Sequence, residues 1–309
     1  MSRVPRVPCL LIIAAMLCAL SGAAAAQSGT YWCQMHPDVR GAAGDRCGLC
    51  GMVLVPMPGD AGRAYWLDVA EGSRAPVAGR DARLRFVVRD PRDGSAVRSF
   101  ALLHDRLLHL FIVSHDLEYF AHVHPTIQPD GTFEQAIDLP RAGAYRLIAD
   151  FAPDGAAPQL LQKTILTAGF TGSVRPSADP PIDAADKVVD GVRIRLTAPE
   201  PIAGREQLLA FELEDAATGA PVEDLQPYLG APGHLLVVSS DLQTAAHSHP
   251  VAEISSAAGP HVVFQFLFPA AGTYRMWVQF QRHGRVFDAP FTVRAGRSSS
   301  SSSSPASPH

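Results

Sequence analysis

The chain has 309 residues, 47% of them hydrophobic and 18% charged, with a formal net charge of -4. That length suits two or three domains of about 100–150 residues each, and the charge balance excludes the basic footprint of a nucleic-acid-binding protein. The 25 glycines and 26 prolines fit many short strands punctuated by turns.

Residues 1–26 read as a cleavable signal peptide. Arg3 and Arg6 give a positive start, Cys9 to Leu20 form an apolar stretch, and Ala24-Ala25-Ala26 offers small residues for cleavage. The apolar stretch is too short to span a bilayer comfortably, and Leu17 is larger than the residue a lipoprotein signal prefers before Cys18. A periplasmic or secreted product without an integral membrane segment is expected. Cleavage leaves three cysteines, Cys33, Cys47 and Cys50, an odd number that suits no simple disulfide framework.

Residues 27–58 form the next unit, a knuckle. Cys47-Gly48-Leu49-Cys50-Gly51 is a CxxCG turn whose glycines let backbone amides fold towards two sulfurs. Cys33 and His36 supply a second pair of ligands. Three thiolates and one imidazole suit tetrahedral Zn²⁺, while the thioethers of Met35 and Met52 beside them favour soft Cu(I). A segment this small buries little core, so a metal would supply much of its folding energy. The alternatives are one disulfide with a thiol left over, or a purely structural zinc. The pattern Tyr31-x-Cys33-x-Met35-His36-Pro37 followed by Cys47-x-x-Cys50-Gly51-Met52-x-Leu54-x-Pro56 resembles the heavy-metal-binding domain of copper-exporting P-type ATPases and copper/silver efflux adaptors. Gln34 and Gly48 stand where that family usually has proline. The resemblance covers about residues 31–56 and implies heavy-metal binding; it implies nothing about transport.

The rest of the chain repeats itself. Pro76 to Arg80 returns as Pro201 to Arg205, and HLFIVSHDLEYFAHVHP at 109–125 returns as HLLVVSSDLQTAAHSHP at 234–250. Pro140 to Arg146 returns as Pro269 to Arg275. This is a tandem duplication of a unit of about 100 residues. Alternation over Arg83–Arg89, turns at Asp90-Pro91 and Asp93-Gly94, and strands over 107–113, 144–151 and 273–280 predict antiparallel β-structure. The expected fold is all-β: the knuckle, then two tandem immunoglobulin-like β-sandwiches at 65–170 and 187–295. A linker at 171–186 joins them, and a disordered Ser-rich tail occupies 296–309. Tyr145 and Tyr274 read as core or corner tyrosines, and Trp66 and Trp277 as packing residues.

The repeated hairpin holds a second set of metal candidates. A turn centred between Asp116 and Leu117 places His109 opposite His124 and Phe111 opposite His122. Residues two apart share a strand face, so His109, His122 and His124 point to one side. His234, His247 and His249 repeat the geometry. Imidazole ligands suit Cu(II) or Zn²⁺. The competing reading makes His109 a core residue bonded to a backbone carbonyl. The second copy lacks the aromatic pair Tyr119 and Phe120, with Thr244 and Ala245 in their places, yet keeps all three histidines. His104 and His115 have no histidine counterpart and are treated as peripheral.

Three functions compete on this pattern. The first is a protein that sequesters or hands over copper or zinc outside the cytoplasm. The second is an interaction module that docks on a metal-efflux or assembly partner, with the knuckle as its sole metal site. The third, a metalloenzyme, is disfavoured: neither sandwich has the cysteine a blue-copper site needs, and no Ser-His-Asp set, phosphate loop or carboxylate pair stands out.

Overall fold

The computed structural model describes residues 31–33, 39–42, 44–48, 54–56, 64–70, 73–174, 179–183, 186–198, 200–256 and 259–297. The signal segment 1–26 and residues 298–309 of the tail lie outside these, as do Met35, His36, Cys50 and Met52. Among the described residues every regular element is a strand. The fold is all-β, as the turn-rich sequence predicts.

Each repeat is a pair of antiparallel sheets. In the first, one sheet runs Trp66–Val69, Gly79–Arg89, Thr132–Leu139, Thr126–Ile127. Its partner runs Gln159–Leu166, Ala144–Pro153, Leu108–Ser114, Phe120–Val123, with Phe100–Ala101 also on the second of these. In the second repeat one sheet runs Lys187–Val189, Val192–Thr197, Glu206–Asp215, Gly259–Leu267, Pro250–Ser256. The other runs Leu225–Gln226, Gly272–Arg282, His234–Ser239, Ala245–Ser248, with Arg285–Ala295 paired to Gly272–Arg282.

Two-residue alternation sorts side chains between faces. On Leu108–Ser114, Leu108, Leu110 and Ile112 enter the first core, joined there by Tyr145, Leu147, Ala149 and Phe151 of the neighbouring strand. On His234–Ser239, Leu235 and Val237 enter the second core with Tyr274, Met276, Val278 and Phe280. The tyrosines are corner residues: Tyr145 donates its hydroxyl to Arg141 O and Tyr274 to Ala270 O, both at 2.7 Å.

The opposite faces of these strands are also buried, because the two sandwiches pack against each other. Phe111, Val113, Leu117 and Ile148 of the first repeat form one apolar cluster with Leu236, Val238, Leu242 and Trp277 of the second. Burial on both faces explains why 107–113 reads as a nearly continuous apolar run. Phe120 stacks on Trp277 across this contact, with centroids 5.0 Å apart and planes 10° apart. Trp66, by contrast, is 43% exposed and lies on the outermost strand of its sheet.

Candidate metal centre

The register of the repeated hairpins is regular through the critical stretch. Phe111 pairs with His122 and Leu110 with Val123; in the second copy Leu236 pairs with His247 and Leu235 with Ser248. Continuing each ladder by one residue sets His109 against His124 and His234 against His249, as symmetric pairing about each turn predicts. Leu117 and its counterpart Leu242 adopt positive φ, 60° and 59°, to close those turns. Within each triad one ligand nitrogen per histidine lies within 4.8 Å of the others.

All six imidazoles occupy the face that packs against the other repeat, so the two triads meet. Centroids of His109 and His122 lie 5.5 and 5.9 Å from that of His247, and 6.3 and 5.9 Å from that of His234. His109, His234, His247 and His249 are buried; His122 and His124 are half-buried.

Hydrogen bonds assign the tautomers. His109 Nε2 donates to Leu103 O at 2.8 Å, and His234 Nε2 to Tyr228 O at 2.8 Å. His122 Nδ1 donates to Gln279 Oε1 at 2.7 Å, and His247 Nδ1 lies 2.8 Å from Asp150 Oδ2. The remaining nitrogens of neutral rings carry lone pairs, and they face one another: His109 Nδ1 and His122 Nε2 are 3.0 Å apart, as are His234 Nδ1 and His247 Nε2. Two lone pairs in that position repel unless a cation lies between them. Nitrogens bound to one zinc at ~2.0–2.1 Å reach this separation at an N–metal–N angle of roughly 95°. His124 Nε2 and both ring nitrogens of His249 are buried with no hydrogen-bond partner, a condition that calls for an explanation in a native fold.

Burial keeps these rings neutral, the form that binds metal. It pushes His109 down to about 3, despite the Leu103 carbonyl, with neighbouring histidines adding to the effect. Burial also takes His124 and His234 down to about 4, and His122, His247 and His249 lie well below the usual imidazole range for the same reason. The Asp150 carboxyl, buried beside His247, is pushed up to about 7.

The core-histidine reading of His109 therefore describes only half of that ring. One nitrogen does bond a backbone carbonyl, and the other faces His122. Sequence pattern alone misses Asp150 and Gln279, which sit at matching positions five residues after Tyr145 and Tyr274. The available signal is a polar residue inside an otherwise apolar stretch, Leu147–Phe151 or Met276–Phe280. His104 needs correction. Instead of lying at the periphery, its ring stacks on His249 with centroids 3.8 Å apart. The Leu103–Arg106 turn carries His104 at φ 47° into the space between the repeats; the matching Tyr228–Ala231 turn has Leu229 at that position, at φ 51°. His115 lies away from the cluster, near Thr164.

In the knuckle, Tyr31–Trp32 pairs with both Arg40–Gly41 and Val55–Pro56. Cys33 and Cys47 are buried together with Leu54 and with Leu103 of the first sandwich. Leu103 is thus common to both candidate centres: its side chain packs with the thiols, and its carbonyl anchors His109.

The family model described as Domain of unknown function (DUF8832) matches the chain twice, over residues 65–165 and 187–297. The chain belongs to this family. Each DUF8832 copy contributes one histidine triad and one residue, Asp150 or Gln279, that contacts the triad of the other copy. A second model, the Heavy metal binding domain, matches residues 30–57, in agreement with the motif resemblance, and assigns metal binding to the knuckle that precedes the DUF8832 pair. No curated protein matches the chain. Among solved structures, a copper-bound variant of FetP from uropathogenic Escherichia coli strain F11 is similar at 10% identity and TM-score 0.29, covering 37% of this chain and 96% of that one. Red sea bream transglutaminase is similar at 11% identity and TM-score 0.22, covering 76% and 31%. Invasin, a bacterial integrin-binding protein, is similar at 14% identity and TM-score 0.22, covering 76% and 40%. Scores of this size carry no functional argument.

Proposed function

We propose that this protein is an exported, non-enzymatic metal carrier that sequesters copper or zinc outside the cytoplasm, or hands it to a metal-efflux or assembly partner. Two kinds of site serve it: thiolates in the knuckle, with Cys33, Cys47, Cys50 and His36 as ligands beside Met35 and Met52, and imidazoles between the two sandwiches. The observation that carries the reading is the meeting of six histidines between the sandwiches, with one pair of ring nitrogens in each triad, His109 Nδ1 and His122 Nε2 or His234 Nδ1 and His247 Nε2, facing each other at 3.0 Å. Soft thiolate and thioether donors suit Cu(I), and imidazoles suit Cu(II) or Zn²⁺. The apolar leader supports export.

Elemental analysis of the mature protein, loaded anaerobically with Cu(I), Cu(II) or Zn²⁺, tests this. Cys47→Ser/Cys50→Ser is expected to remove one tight site and His122→Ala/His124→Ala another. Loss in the cysteine variant alone would reduce the sandwiches to docking modules. A wild-type protein that retains no tightly held metal would refute the reading altogether.

A further inference from the structure

The two triads are copies, but their surroundings are not. His247 is backed by the Asp150 carboxylate at 2.8 Å and His122 by the Gln279 amide at 2.7 Å. A carboxylate on the far nitrogen of a ligand imidazole both orients the ring and raises its basicity, and it offsets the charge of the bound ion. An amide only orients. Burial differs in the same direction: His234, His247 and His249 are each at most 5% exposed, whereas His122 and His124 are half-open. His104 adds a further imidazole over His249, where the other repeat has Leu229.

We propose that the triads are two unequal metal sites lying side by side, and that Asp150 sets the order in which they fill. His234, His247 and His249 take the first ion and retain it. His109, His122 and His124 take the second and exchange it with solvent. This rests on reading the triads as metal sites. Rings of opposite triads approach to 5.5–6.3 Å between centroids, so two cations held there repel. With one buried carboxylate available to two ions, the site that owns it fills first. Charge also explains the exchange: the second ion enters against the field of the first and leaves more readily. The ions that suit such ligands are Cu(II) and Zn²⁺.

The test is a Cu(II) titration of the full mature chain carrying Cys33→Ser/Cys47→Ser/Cys50→Ser, followed by electron paramagnetic resonance, with Zn²⁺ calorimetry of the wild-type chain in parallel. The expected signal grows through the first equivalent and broadens through the second, as neighbouring Cu(II) spins couple. Asp150→Asn is expected to weaken the first-filled site by about 10–100-fold while the other changes little. Gln279→Glu is expected to tighten the second site and narrow the gap. If Asp150→Asn does not fold, Gln279→Glu alone decides, since failure to narrow the gap overturns the proposal. Equal affinities in the wild type, equal weakening of both sites by Asp150→Asn, or two uncoupled signals would overturn it too. A different result would sink the underlying reading: binding unchanged when His122, His124, His247 and His249 are all replaced by alanine.

Discussion

Asp150 and Gln279 hold the same position in the two repeats, and each reaches across the interface to a histidine of the other, Asp150 to His247 and Gln279 to His122. In its own sheet Asp150 pairs with His109, and Gln279 pairs with His234. Each strand therefore positions one triad member directly and a second through its partner repeat. Each sandwich supplies a whole histidine triad but takes the hydrogen-bond partner of one ring from the other sandwich, which ties any chemistry of the cluster to the docking of the two domains.

Removing either cross-interface partner leaves a buried imidazole N–H without an acceptor. Asp150→Ala is expected to destabilise the metal-free protein by ~1–3 kcal/mol, the desolvation cost of an orphaned donor. Gln279→Ala is expected to cost less, since His122 is half-buried and water replaces the lost amide. Urea unfolding of both variants checks the ranking; equal costs would mean that the second triad is as wet as the first.

The apolar half of the interface borders the polar half through Phe111, whose ring stacks on His122 with centroids 4.2 Å apart. Trp277 is 2% exposed and stacks on Phe120 of the first sandwich. Trp277→Ala is expected to cost ~3–5 kcal/mol. It is also expected to weaken metal binding at the histidines, although it removes no ligand. Unchanged histidine-dependent affinity in a folded Trp277→Ala protein would show that the triads act without the interface.

Acid is expected to loosen the metal-free fold well before the carboxylates of an ordinary sandwich titrate. Burial holds His109 down to about 3 and His124 and His234 to about 4, whereas each titrates at about 6.5 in an unfolded chain. Between those values the unfolded state binds more protons, so stability rises with pH. Their contribution is complete above about pH 6.5 and is lost as pH falls towards 4. Asp150, pushed up to about 7 from the ordinary 3.8, works the other way: its advantage to the fold is complete below about pH 4 and is lost as pH rises from there to 7. Several imidazoles outweigh one carboxyl, so urea midpoints are expected to fall steadily from pH 7 to pH 4.5. A flat profile would mean that the rings are solvated.

Much of this arrangement is legible in the residues. Pairing about the 116–117 turn gives the register of His109, His122 and His124 directly, because two-residue alternation leaves one choice of face once the turn is placed. The duplicated hairpin extends that logic to His234, His247 and His249. What alternation cannot reveal is what lies opposite a face. The inward residues Leu108, Leu110 and Ile112 and the outward residues Phe111 and Val113 are equally apolar, so the run signals burial on both sides without naming the second partner. His104 is hidden for a similar reason. It sits on a tight turn outside the repeated hairpin, and it joins His249 only because the two sandwiches are docked. The candidate ligands His36 and Cys50 are read from the motif, and their place in space lies outside the described residues.

Leu103 links the two candidate centres. Its side chain, 4% exposed, packs with Cys33, Cys47 and Leu54 of the knuckle. Its carbonyl accepts the His109 Nε2 proton, and its backbone is held in a tight turn by reciprocal bonds with Arg106 of 2.8 and 3.1 Å. Leu103→Ala keeps the turn and the carbonyl but opens a cavity beside the thiols, a change that costs ~2–5 kcal/mol in a packed core. Because the lost contacts all belong to the knuckle side, the variant is expected to release knuckle metal more readily. The histidine sites, anchored through the backbone, are expected to stay within a few-fold of wild type. Hydrogen exchange provides the complementary readout: loading the knuckle is expected to slow exchange at the Leu103 and Arg106 amides in wild type and much less so in Leu103→Ala. If both variant and wild type bind knuckle metal equally, Leu103 does not couple the knuckle to the sandwich. If the histidine sites weaken as much as the knuckle, the side chain rather than the backbone turn positions His109.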